Sequence, residues 1–147
     1  MRIKTEIHEK YTSPEIHICN RELNPMIRKM YDELQVMYGD SIVGTDKREE
    51  RCVLHLPDLL SFYALKQRVI ARAVNGEEYT VSKKLYELET ELESAGFIRI
   101  SKSEIVNIRK IKRLDMSLTG TVKIIMANDY ETYTSRRNVT KIKKILS

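Results

Sequence analysis

The sequence predicts an α+β chain: a small β-β-α unit followed by a longer, mostly β segment with short helices. Three observations carry that prediction. From residue 51 onward, apolar runs of about five residues alternate with turn signals, which is strand punctuation. Helical spacing of apolar residues occurs in only three stretches. Residues 44–50 (GTDKREE) form a polar, aperiodic junction between parts of different charge. The chain therefore divides into residues 1–45, an assembly or regulatory extension, and residues 46–147, the main domain.

Taken in order, residues 2–8 (RIKTEIH) and 15–19 (EIHIC) read as two short strands around a Tyr-Thr-Ser-Pro turn. Asn24-Pro25 opens a helix, because asparagine caps free amides and proline is tolerated at the first helical position. Met26, Ile27, Met30, Leu34, Met37 and Tyr38 follow at helical spacing, and Gly39 stops the run.

Strands are then expected at 52–56, 59–63, 67–74 and 77–81. Asn75-Gly76 is the signal for a type I′ hairpin turn between the last two. Ser82 is placed to cap a helix running to Ala95, with Leu85, Leu88 and Leu92 as its stripe and Gly96 as its stop. Further strands are expected at 98–100, 105–108, 122–126 and 130–134, the last pair joined by an Asn128-Asp129 turn. A helix from about Asn138 closes the chain, with Val139, Ile142, Ile145 and Leu146 on one face.

Charge points to a partner. From Phe97 to the end there are twelve Lys and Arg and four Asp and Glu, a net +8, whereas the whole chain is only +5. The first fifty residues hold eight basic and ten acidic side chains, a net −2. A concentrated basic surface favours a polyanion, most often nucleic acid. Three basic loop or strand-edge positions carry it: Lys66 to Arg68, Lys102-Ser103, and Ser135-Arg136-Arg137. Each alone is equally an ordinary solvated charge, and the case rests on their number. Phe occurs twice and Trp is absent, which disfavours base stacking and favours a duplex over a single strand.

Other chemistry finds little support. The two cysteines, Cys19 and Cys52, lack CxxC spacing and read as reduced, buried thiols. His8, His17 and His55 with Cys19 lack the close spacing of a zinc motif. Paired catalytic carboxylates, a phosphate-cradling glycine loop and a serine nucleophile elbow are not evident. The expectation is no enzyme, no metal and no cofactor. No apolar run reaches the roughly 18–20 residues of a membrane span, and the first residues do not form a signal peptide. Cytoplasm is the expected location.

Certain motifs carry a resemblance. The helix KKLYELETEL leads into FIRISKSEIVNIRKIKRL, and the chain ends YTSRRNVTKIKKIL. With Ile98, Arg99, Ile100, Ser101, Lys102, Ser103 and Val106-Asn107, these resemble the LytTR-type DNA-binding domain, the output module of many bacterial regulators. The resemblance covers about two thirds of the chain, from about Arg51. It implies an elongated, mostly β fold whose loops enter successive major grooves, usually on direct repeats.

By position it implies Arg68, Lys102 and Arg137 as base and phosphate contacts, with Lys66, Ser103, Ser135 and Arg136 beside them. Ser101 stands where many members have His. Fifty residues cannot hold a phosphate-accepting receiver domain, so the front end resembles the short extension of small stand-alone LytTR regulators. Those imply two partners besides double-stranded DNA: a second copy of the chain and a small membrane-protein antagonist. The other reading is a protein-interaction module or antagonist that kept the fold and lost DNA binding.

Overall fold

A computed structural model of the chain describes residues 1–12, 14–38 and 40–146, without the side chains of 35–38 and 146. It is mixed α+β and mostly β. Ten strands form two antiparallel sheets, and three helices flank them.

The first helix, α1 (Pro25–Tyr38), begins where the sequence places it. The Asn24 side-chain oxygen accepts from the Ile27 amide at 2.9 Å, and Pro25 is the first helical residue. Ile27, Met30 and Leu34 are half-buried, while Met26 and Tyr31 are exposed. Gly39, its expected stop, lies outside the described residues, as do the Met37 and Tyr38 side chains. The two expected strands before it are not formed. Residues 2–8 and 15–19 have no ladder partner among the described residues, and the β-β-α unit reduces to its helix. A strand is stable only beside a neighbour, which alternation alone does not supply.

The larger sheet has seven strands: β1 (Ser41–Thr45), β2 (Arg51–His55), β3 (Leu59–Leu65), β4 (Arg68–Ala73), β5 (Glu78–Val81), β6 (Phe97–Arg99) and β7 (Glu104–Asn107). Their order is β2-β1-β5-β4-β3-β7-β6. β1 is additional to the predicted strands. It pairs with β2 from Ser41↔His55 to Thr45↔Arg51 and touches β5 at Thr45↔Thr80. Its Gly44 is required by a close approach: a Cβ there would lie 2.6 Å from a Leu54 methyl and 3.0 Å from the Tyr79 Cβ.

The β4–β5 hairpin forms where expected, with a different turn. Only Gly76 has positive φ (+89°), the Ala73 amide donates to Glu77 O at 2.8 Å, and the loop has three residues. The Asn75 side chain accepts from the Glu77 amide at 2.9 Å. A type I′ turn would need positive φ at both central residues.

The second helix, α2 (Leu85–Glu91), is shorter than predicted. Lys84, not Ser82, stands at its N-cap without a side-chain cap bond. It covers one face of the large sheet. Leu85, Leu88 and Leu92 pack there with Leu54, Leu59, Phe62, Val69, Ala71, Val81, Phe97 and Ile105. The Phe62 and Phe97 rings meet at 5.4 Å.

The smaller sheet holds β8 (Ile111–Asp115), β9 (Val122–Met126) and β10 (Glu131–Thr134), in the order β10-β9-β8. With the closing helix α3 (Arg136–Leu146) it builds a second core of Leu60, Ile100, Val106, Ile124, Met126 and Ile142. Adjacent residues of β7 thus serve different cores, Ile105 the first and Val106 the second, as the period-two pleat requires. β8 is also additional to the predicted strands, and α3 starts two residues earlier than expected. On α3, Val139 and Ile142 are buried but Ile145 is 55% exposed, outside the expected apolar face. Leu146 lies outside the described side chains.

The thiols also depart from expectation: Cys19 is exposed and Cys52 half-buried, both free. Burial, then the Asp46 and Glu50 carboxylates, push the Cys52 thiol above its ordinary pKa. Among the described residues, no helix is long and apolar enough to cross a membrane.

Candidate nucleic-acid interface

Three loops that are far apart in sequence are fastened together by hydrogen bonds. The first is the tight turn between β3 and β4, Lys66-Gln67, closed by the Leu65↔Arg68 pair. Lys66 (φ +47°) and Gln67 (φ +65°) both sit in the left-handed region. This is the type I′ signature, here without glycine, at a cost of about 1–2 kcal/mol per residue. The second loop joins β6 to β7 at residues 100–103. The Ala64 amide of β3 donates to the Ser103 carbonyl at 2.8 Å, which holds the second loop against the first hairpin.

The third is the junction of β10 and α3. The Ile100 carbonyl accepts from the Thr134 hydroxyl at 2.8 Å and from the Asn138 side-chain amide at 3.0 Å. One backbone oxygen of the second loop therefore fixes the third. The loops form a row, in the order β3–β4, β6–β7, β10–α3.

Internal bonds make the row rigid. The Arg99 Nε donates to Ser101 O at 2.8 Å, its guanidinium also reaches Lys102 O, and it pairs with Glu89 at 3.2 Å. Ser101 Oγ accepts from the Ser103 amide at 3.2 Å. Ser101 thus holds the loop's backbone. At the third loop the Ser135 hydroxyl accepts from the Asn138 amide at 3.3 Å and caps α3.

Beneath the row, a polar seam ties the two sheets. Glu104 is buried and accepts from the Thr132 hydroxyl at 2.7 Å and the Tyr130 hydroxyl at 3.3 Å. Arg72 lies between the rings of Tyr63 (4.5 Å) and Tyr130 (3.8 Å) and faces Glu78 at 3.9 Å. Burial opposes the Arg72 charge, but Tyr130, Tyr63 and Glu78 raise its pKa overall.

The seven predicted site residues separate by what they hold. Lys66, Arg68, Lys102 and Arg137 are exposed, and their side chains make no hydrogen bond or ion pair among the described residues. Ser103 and Ser135 are exposed loop residues whose backbone or hydroxyl holds the row. Arg136 is engaged: its guanidinium donates to Leu118 O at 3.1 Å and to Met116 O at 3.5 Å, tying the β8–β9 loop to α3.

Away from the row, several cations are paired. Lys83 meets Glu91, Lys112 meets Asp129 at 2.9 Å, and Lys123 meets Glu131 at 3.7 Å. α3 adds a bias of its own. Its first turn has two arginines and no acid, although a helix N-terminus is already electropositive and prefers an anion.

The sequence model of the LytTr DNA-binding domain matches residues 49–147. The chain belongs to the LytTr DNA-binding domain family. Among curated proteins it is 30% identical over 148 residues to an uncharacterised HTH-type transcriptional regulator of Staphylococcus aureus strain bovine RF122 / ET3-1. That alignment covers 100% of this chain and 99% of the relative. A counterpart from strain NCTC 8325 / PS 47 is 29% identical with the same coverage. The helix-turn-helix in those names has no counterpart among the described residues, where strands separate each helix from the next.

Among solved structures, the chain is similar to the LytTr DNA-binding domain of a Bacillus cereus protein described as a methyl-accepting/DNA response regulator. The TM-score is 0.65 at 20% identity, over 74% of this chain and 97% of that one, which speaks to the LytTr fold.

Within this LytTr chain, the Val106-Asn107 motif serves structure. Val106 is in the second core, and Asn107 donates from its buried side chain to Leu59 O at 3.0 Å while accepting from the Arg109 amide at 3.1 Å. Sequence reasoning missed Arg99 as the brace of the second loop and Gln67 as a residue in the left-handed region. Arg99 was visible only as a motif letter, and nothing in Lys66-Gln67 advertises a I′ turn.

Proposed function

We propose that this protein is a sequence-specific transcriptional regulator that binds double-stranded DNA as a homodimer, its loops entering successive major grooves on direct repeats. The observation that carries the reading is the row of exposed, unpaired cations on three loops fastened together. Side chains with no internal partner keep their donors for phosphate oxygens and base edges. Arg68 and Arg137 suit guanine edges, which a guanidinium meets with paired donors. Lys66 and Lys102 suit phosphates, and Lys141 and Lys143 on α3 extend that charge. The N-terminal turn of α3, which carries Arg137, favours a phosphate further.

Binding-site selection from a random duplex library tests this. Recovery of a spaced direct repeat is the expected result. Retention no better than scrambled duplex would overturn sequence-specific binding.

A further inference from the structure

Exposed apolar side chains are unevenly distributed in this protein. Of the twelve large apolar residues exposed among the described residues, seven lie in the first 31 positions. Ile3 and Ile7 are the extreme cases, at 90% and 92% exposure. Around them residues 2–8 alternate as a strand does: Ile3, Thr5 and Ile7 share one side, and Arg2, Lys4, Glu6 and His8 the other. Among the described residues, the single chain nevertheless gives this segment no ladder partner.

The segment's own order of residues selects one. Laid antiparallel to a second copy of itself about Thr5, it places Ile3 opposite Ile7, Lys4 opposite Glu6, and Arg2 opposite His8. Two-fold symmetry makes each of these pairs occur twice. Apolar and opposite-charge pairs directly across a ladder are favourable, and like charges are unfavourable. A parallel, in-register pairing would instead set Lys4 on Lys4 and Glu6 on Glu6. In the single chain Glu6 meets Lys10 at 3.1 Å on the surface, a contact weak enough to exchange.

We propose that residues 2–8 of two copies pair antiparallel about Thr5 to form the dimer contact of this protein. Residues 15–19 flank that pair, because two strands alone are marginal in water. Ile16, 62% exposed, and Ile18 are two apart, so they extend a single apolar face. This contact gives the homodimer of the proposed function its surface and rests on that part of the reading. It is measured without DNA, so its failure leaves the DNA-binding proposal standing.

Sedimentation of the full chain tests it. The wild type is expected to dimerise at micromolar concentration. Lys4→Glu and Glu6→Lys each turn both charge pairs into like-charge pairs and should weaken the dimer roughly tenfold or more. The two variants mixed place opposite charges across every such position and should dimerise with each other. Since all these side chains are exposed, the thermal unfolding of each variant monomer should match that of a monomeric Ile3→Lys/Ile7→Lys chain. A monomeric wild type, single variants that dimerise as the wild type does, or a mixture that stays monomeric would each overturn the proposal.

Discussion

Two sets of cations in this protein, one by the sheets and one on the loops, differ in what the fold gives them to meet. Three on or beside the strands and α2 sit opposite carboxylates: Lys112 on β8 with Asp129, Lys123 on β9 with Glu131, and Lys83 with Glu91 of α2. On the β3–β4, β6–β7 and β10–α3 loops, Lys66, Arg68, Lys102 and Arg137 make no ion pair among the described residues. The first arrangement neutralises a surface and adds little to stability. The second leaves charge concentrated on a rigid support, at the expense of two left-handed non-glycine residues. Net charge alone does not separate the two. The difference is in which cations the fold has already partnered.

Loop and seam should therefore respond to mutation in different observables. Arg137→Ala is expected to have the largest single effect on binding. Specific affinity, measured by fluorescence anisotropy, should fall roughly 5- to 150-fold, on the order of 1–3 kcal/mol, with base preference relaxed at one position. Its urea midpoint should barely move, because the side chain is exposed and makes no hydrogen bond or ion pair among the described residues. Thr132→Val does the reverse. It leaves buried Glu104 without its 2.7 Å donor and should cost about 1–3 kcal/mol in urea unfolding while base preference is retained. If Arg137→Ala lowered stability as Thr132→Val does, the distinction between the two regions would collapse.

Much of the fold is legible in the sequence wherever alternation is clean. Residues 122–126 are predicted and observed with the same bounds, and Asn24-Pro25 starts α1 as read. What eluded sequence reasoning has identifiable physical causes. β1 contains Gly44, a strand breaker by propensity, present because Leu54 leaves no room for a Cβ. β8 reads IKRLD, three charges in five residues, which an edge strand tolerates. Residues 2–8 carry the pattern of a strand but have no ladder neighbour among the described residues.

The I′ geometry expected at Asn75-Gly76 occurs instead at Lys66-Gln67, for which no turn type is expected. Asn75-Gly76 supports a three-residue loop, and Lys66-Gln67, which carries no turn residue, takes the I′ geometry. Site residues were visible as basic letters on loops. Their adjacency was not, because it rests on bonds such as Ala64 to Ser103, between positions distant in sequence.

The I′ turn offers a smaller test. Gln67→Gly relieves a left-handed residue and should raise stability by about 0.5–1 kcal/mol in urea unfolding, with little change in DNA affinity. No gain would mean that the turn is not strained.

The paired region yields the smallest effect, and its sign follows from linkage. Hydrogen bonding and then attraction by Lys112 hold the Asp129 carboxyl below its ordinary pKa. A depressed folded pKa contributes stability above the unfolded value, about 4, and that contribution is lost as pH falls through the folded one. Lys112→Ala should therefore melt slightly below the wild type at neutral pH and converge with it under acid. A difference independent of pH would locate the effect elsewhere.

The most direct measurement compares two triple-alanine variants on one selected duplex across a salt series. Replacing Arg68, Lys102 and Arg137 should lower specific affinity by roughly a hundredfold or more and flatten the salt dependence, since fewer phosphates are neutralised. Replacing the paired Lys83, Lys112 and Lys123 should leave both close to wild type. Equal losses from the two variants would contradict the account, because binding would then follow total charge rather than the row of unpartnered cations.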